Sequence, residues 1–329
     1  MPIGPSLHAS KMRAMRFMRQ SPAMARHGDR HWWGYVRPSK LVLVFCLSVA
    51  AGCSSPQPQG VVAPYNQGKA PLRVVSLDFC ADQFVIKLAD RASIVAVSPD
   101  ATRDFSFMRA EAKGLRQVRP DAETILALKP DVVVRSYGGG PQMVPFLERA
   151  GIKVHQIGWG EDFTAVRTNV REAAEALGQP ARGEALVADF DRRLASLKPA
   201  PQVSALYVTP GGVTTGPGSL VDRMMVKAGL VNFQTQKGWN PLPLERLATE
   251  QPAMVVTAFF TAQSPHQDYW SQARHPLVRQ MLTDLPVARL DGGTTACSGW
   301  FMVDAMEAMA ATGRSIHAKT GAWPKDLQP

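Results

Sequence analysis

"PARGEALVADFDRRLASLK", residues 180–198, is the stretch on which the fold turns. Pro180 suits the first position of a helix, where its missing N–H costs nothing. Leu186, Phe190, Leu194 and Leu197 then recur every three or four residues and form one apolar helical face. At 1.5 Å per residue such a helix is roughly 28 Å long, the width of a small domain. Just before it, Phe163, Val166, Val170, Ala174 and Leu177 mark another helical face that stops at Gly178.

On either side of these helices the pattern changes. Short apolar runs at 73–77, 94–98, 131–135 and 154–157 alternate with helical patterns at 82–89, 121–128 and 141–150. After the loop Lys198-Pro199-Ala200-Pro201-Gln202, runs at 203–208, 253–259 and 287–290 are interspersed with helices at 220–228, 244–249 and 301–311. Strands separated by helices predict parallel βαβ units. The chain therefore reads as an α/β lobe, a long helix and a second α/β lobe. A faint repeat links the lobes: "PDAETILALKPDVVV" (120–134) resembles "LPLERLATEQPAMVV" (242–256). In each, a glutamate (Glu123, Glu245) opens a short helix, a proline (Pro130, Pro252) follows seven positions later, and a buried strand comes next.

The first 53 residues are of another kind. Residues 41–51 are apolar, about half the roughly 20 residues a membrane-spanning helix needs, and basic residues precede them. This is the layout of a secretory signal peptide, with Met12, Met15, Met18 and Met24 as alternative starts. Its end, Ala50-Ala51-Gly52-Cys53, resembles a bacterial lipobox, although Ala50 stands where leucine is usual. Cys53 is the expected lipidation point, and a Ser/Pro/Gln/Gly tether follows it. An ordinary signal peptide with a chance cysteine is the alternative. The segments expected are a leader at 1–53, a tether at 54–71, an N-terminal lobe at 72–161, a helical linker at 162–200, a C-terminal lobe at 201–323 and a tail at 324–329.

The formal charge of +10 mostly reflects that leader. It holds 8 of the 37 basic and 1 of the 27 acidic residues, leaving 29 and 26 in the remainder, a net of +3. Nothing in that balance argues for nucleic acid. Of the cysteines, Cys46 leaves with the leader and Cys53 takes lipid. Cys80 and Cys297 remain in a chain sent to an oxidising compartment, where a disulfide is the default expectation. Two separate buried thiols are the alternative.

Several strings in this order resemble one family. "RVVSLDFCADQ" (73–83) at the first strand, "AETILALKPDVVV", "EALGQPARGEAL", "TGPGSL" followed by "AGLVN", "LPLERL" and "CSGWF" before the last helix are weak singly. Together they are similar to the periplasmic substrate-binding proteins and lipoproteins of ABC importers for ferric siderophores, haem and cobalamin. "DFCADQ" with "CSGWF" resembles a subgroup with a cysteine in both places. The resemblance covers 72 to about 313. It implies two Rossmann-like lobes joined by one long rigid helix, a ligand cleft between them, and little closure. It also implies that Glu123 and Glu245 present carboxylates to arginines of the membrane permease and, through it, serve an ATPase. An acid in a first helical turn is also favourable without any partner.

Cleft residues are expected on loops at the carboxyl ends of strands. These loops hold Asp78, Asp100, Arg135 and Tyr137 in the first lobe, and Trp239 and Trp300 in the second. Trp239 lies six residues before Glu245, where cobalamin-binding relatives carry a cleft tryptophan. Aromatics suit a large, partly apolar ligand, and Arg135 suits a carboxylate or an anionic ferric chelate. Core packing is the alternative for the aromatics and helix capping for the aspartates. His155, His266, His275 and His317 are scattered, so a directly bound metal is not expected. The reading is a monomeric, lipid-anchored periplasmic receptor with no cofactor of its own. Its cargo is a chelated metal or corrinoid, with ferric siderophore first and cobalamin or haem next. Two other readings stay open: an exported thiol enzyme using Cys80, His155 and Asp78, and a structural envelope lipoprotein with a degenerate cleft.

Overall fold

The computed structural model describes residues 71–259 and 270–320. The leader, Cys53, the tether before residue 71 and the tail at 324–329 lie outside the described residues.

The first lobe runs β1 (Val74–Ser76), α1 (Phe79–Leu88), β2 (Ile94–Ala96), α2 (Ala122–Ala127), β3 (Val132–Arg135), α3 (Met143–Arg149) and β4 (Lys153–Gln156). Two helices follow, α4 (Phe163–Ala176) and α5 (Pro180–Ser196). The second lobe runs β5 (Val203–Val208), β6 (Val213–Thr215), α6 (Leu220–Lys227), β7 (Leu230–Asn232), β8 (Trp239–Pro241), α7 (Leu244–Leu247), β9 (Met254–Ala258), α8 (Pro276–Asp284), β10 (Val287–Leu290) and α9 (Met302–Thr320).

Each lobe is built on a four-stranded parallel sheet, and the two sheets share one topology. The first is ordered β2-β1-β3-β4 and the second β10-β9-β5-β7. Counted within its own lobe and read from the other edge, the second order is also 2-1-3-4. The repeated sequence unit is therefore the helix and third strand of each sheet, α2–β3 and α7–β9. The inner strands β1, β3 and β9 are buried along their whole length. That is why they read as unbroken apolar runs and not as alternating ones. A small antiparallel pair, β6 with β8, is added to the second lobe.

Caps place the helices. Asp78, Asp121, Asp162 and Ser219 each accept from a backbone N–H in the first turn of α1, α2, α4 and α6. Gly178, at φ +69°, turns the chain from α4 into α5. Leu186, Val187, Phe190 and Leu194 bury the inner face of α5. The helix stops at Ser196, two residues short of expectation, because Pro199 disfavours helical backbone just before it.

The bridge is fastened at both ends. Near its start, Arg182 Nη1 donates to Leu88 O at 2.9 Å and Nη2 to Asp90 at 2.5 Å, both in the first lobe. Near its end, Arg193 reaches Asp304 and Glu307 of α9, each at 2.7 Å. One hydrophobic cluster runs through both lobes, from Val74, Phe84 and Val134 to Tyr207, Met254 and Met306. The last helix continues to Thr320, well beyond the expected end at 311. Gly313 lies inside it, where a Cβ would come within 2.6 Å of Ala200 Cβ. The glycine marks close packing, not a helix end.

Candidate functional site

A cavity of about 530 Å³ lies between the lobes. The first lobe lines it with 159–161, just past β4; the second lobe supplies 217–221 and Met224, Gly238 and Trp239, and 295–298 with Met302. Loops at the carboxyl ends of parallel strands thus contribute from both sides, as in open α/β sheets generally. The volume falls within the usual range for small-molecule sites. Among the described lining residues Glu161 is the one that carries charge.

Of the expected ligand residues, only Trp239 lines this cavity. Its indole is 59% exposed and rests edge-on against the buried Tyr207, with ring centroids 6.2 Å apart.

Trp300 is 7% exposed and packs edge-on against Phe84 of α1 and Phe301. It belongs to the core, where apolar contacts from both lobes meet. Asp78 is 4% exposed, with Oδ1 accepting from Ala81 N–H and Oδ2 from the N–H groups of Ser136, Tyr137 and Gly138. It caps α1 and holds the loop after β3. Arg135 is buried and donates from Nη1 to Gly140 O, in the triple-glycine turn, at 3.0 Å. Its Nε has no partner among the described residues.

Tyr137 and Asp100 stay accessible on the first lobe, outside the cavity lining. Tyr137 is held by the Asp78 clamp and meets Phe79 edge-on at 6.2 Å. Partial burial, and then the negative charges of Asp78, Asp100 and Asp82, push its phenol pKa up. Asp100 pairs loosely with Arg103 at 3.8 Å. Beneath this wall sits Asp82, a buried carboxylate the sequence did not single out. It accepts from Ser98 Oγ at 2.6 Å and Ser98 N at 3.0 Å. Burial raises its pKa to about 6 against those hydrogen bonds.

Cys80 and Cys297 are joined in a disulfide, with Cα atoms 5.5 Å apart. The bond ties α1 of the first lobe to the segment before α9, and Cys297 lines the cavity. Nearby, Arg109 and Asp291 add an ion pair at 2.5 Å. With Cys80 oxidised, the proposed thiol set lacks a nucleophile. His155 sits on edge strand β4, its pKa lowered by burial against a smaller opposing effect of Glu172.

Glu123 and Glu245 are both exposed, in the first turns of α2 and α7, the equivalent helices of the two sheets. Neither forms an ion pair among the described residues. No group of three or more His, Cys, Asp or Glu side chains is arranged to hold a metal among them either.

Sequence reasoning missed Trp159. It is 80% exposed and lines the cavity from the first lobe. The available signal was a large aromatic between two glycines, Gly158 and Gly160, at the carboxyl end of a strand.

Two lobes of matched topology, a fastened bridging helix and a cavity at the strand ends define the architecture of a two-lobed binding protein. The chain belongs to the periplasmic binding protein family, which residues 74–267 match. It is 26% identical over 218 residues to a cobalamin-binding protein of Halobacterium salinarum, covering 62% of this chain and 59% of that relative. The chain thus spans about three-fifths of the curated relative. Two solved structures share the fold. The apo periplasmic haem-binding protein RhuT of Roseiflexus sp. RS-1 matches with TM-score 0.59 and 22% identity, over 75% of this chain and 99% of that one. The vitamin B12-binding protein BtuF of Vibrio cholerae matches with TM-score 0.53 and 19% identity, over 74% and 97%.

Proposed function

We propose that this protein is the receptor of an ABC importer, capturing a chelated metal or corrinoid in the periplasm and delivering it to a permease and its ATPase. A lipid at Cys53 anchors it to the membrane, and Glu123 and Glu245 dock it on the permease. The observation that carries the choice of cargo is the cavity lining, in which no Lys, Arg or His stands among the described residues. An anionic ferric siderophore or the propionates of haem would lose water there without gaining a cation. An amide-edged corrinoid brings no such demand, and Trp239 offers it an apolar face. Cobalamin therefore moves ahead of ferric siderophore and of haem. The Halobacterium relative, itself a cobalamin-binding protein, supports that order.

The test is a calorimetric titration of the purified protein with cyanocobalamin, haemin, and ferric hydroxamate, catecholate and carboxylate siderophores, with Fe(III), Zn(II) and Mn(II) as controls. Saturable binding of cyanocobalamin in preference to the rest is expected. Preference for a siderophore overturns the ranking, and binding of a bare metal overturns the chelate reading. Binding of nothing returns the protein to the structural class with a degenerate cleft.

A further inference from the structure

We propose that Trp159 is a ligand-contacting residue that faces Trp239 from the other lobe and selects for flat macrocyclic chelates. The inference rests on the receptor reading above and adds a contact that reading does not contain.

Three observations carry it. Trp159 is 80% exposed and Trp239 59%, and both line the same cavity of about 530 Å³, one from each lobe. An indole left largely in water gains more from a covering partner than almost any other side chain. Single exposed apolar residues are ordinary, but two tryptophans lining one cleft are not scattered surface residues.

The second observation is that the backbone on both sides of Trp159 is fixed. Gly158 N donates to Asn169 Oδ1 at 3.1 Å, and Asn169 Nδ2 donates back to Gly158 O at 2.8 Å. Asn169 itself is 5% exposed, on α4. On the other side, Ser298 Oγ donates to Gly160 O at 3.0 Å. Both glycines are needed for the approach. A Cβ at 158 would lie 2.9 Å from Asn169 Oδ1, and one at 160 would lie 2.6 Å from Ser298 Cβ. A tightly held loop that nevertheless exposes its one large side chain is built to present that side chain.

The third is location. Ser298 follows Cys297, so the Gly160 contact sits beside the disulfide that joins the lobes. The loop that carries Trp159 is therefore fastened to the second lobe beside a covalent link between the lobes. A preorganised pair of indoles suits a rigid, flat ligand, because little ordering remains to be done on binding. Compact hydroxamate or catecholate chelates offer no broad apolar face to it.

The experiment compares wild type, Trp159→Ala, Trp159→Phe and Trp239→Ala by calorimetric titration with cyanocobalamin and with haemin, alongside melting curves. Trp159→Ala is expected to keep the wild-type melting temperature, since the side chain is exposed. It is expected to weaken macrocycle binding by roughly 10-fold, with Trp159→Phe restoring most of it. If wild type binds but Trp159→Ala stays within about two-fold of it, the measured stacking range is not reached, and the inference fails while the receptor reading stands. If wild type binds neither macrocycle, the macrocycle reading fails and takes this inference with it.

Discussion

Cys80 and Cys297 lie 217 positions apart in sequence and 5.5 Å apart at Cα, so one covalent bond joins the first helix of one lobe to the cavity wall of the other. A loop of that length loses much conformational freedom when closed, worth about 5 kcal/mol in chain-entropy models. Reduction, or the pair Cys80→Ser and Cys297→Ser, is expected to lower the melting temperature by on the order of 10 °C. Thermal scans with and without reductant, combined with thiol counting, check this. Two newly titrating thiols with an unchanged melting temperature would show that the bond adds nothing to stability.

The place of Trp300 has its own test. Trp300 packs on Phe84 at a centroid distance of 5.5 Å and is nearly water-free, so Trp300→Ala leaves a large void. The expected loss is about 3–5 kcal/mol of stability, with cargo affinity retained in whatever fraction stays folded. Denaturant titration beside calorimetry separates the two effects. Lost affinity at unchanged stability would return Trp300 to the cleft.

Asp82 gives a pH dependence whose sign is fixed. Its folded-state pKa, raised to about 6, exceeds the ordinary value of 3.8. The folded protein therefore holds this proton more tightly than the unfolded chain does. The stabilisation is fully present below about pH 4 and is lost as pH rises through about 6, a swing of roughly 3 kcal/mol. Asp82→Asn should remove that slope and stabilise the protein at pH 7.5. Melting curves from pH 4 to 8 on both proteins decide it, and parallel curves would mean that Asp82 does not titrate there.

Glu123 and Glu245 should matter only for docking. Both are exposed first-turn acids, and charges at an interface rim act chiefly on association rate and orientation. Glu123→Arg with Glu245→Arg is expected to leave stability and cargo binding unchanged while abolishing delivery in a reconstituted permease. Undiminished uptake would leave both residues only their favourable place at the positive end of a helix.

Much of this was legible in the sequence for identifiable reasons. Residues 180–198 could be read because a continuous helix has a strong period and Pro180 marks its start. The two α–β units could be read because strands buried on both faces appear as apolar runs after a proline. Positions at strand ends were the least legible, because they have no period. Asp78 turns inward to bind four N–H groups, Arg135 donates to the glycine turn just after it, and Trp300 packs on Phe84, contacts that no local pattern announces. Trp159 carries no periodic signal either: its flanking glycines allow close approach to Asn169 and Ser298, partners that no local pattern in the sequence announces.

The shared hydrophobic cluster, running from Val74 through α5 to Met306, couples two smaller clusters, one around Val133 and Leu147 in the first lobe and one around Val255 and Val278 in the second. Severing the chain at the bridge would leave two fragments, each with an unfinished face. Melting should accordingly be a single all-or-none event, not one step per lobe. Loss of the shared cluster would expose apolar surface on both lobes at once, so a protease should meet both lobes in the same transition.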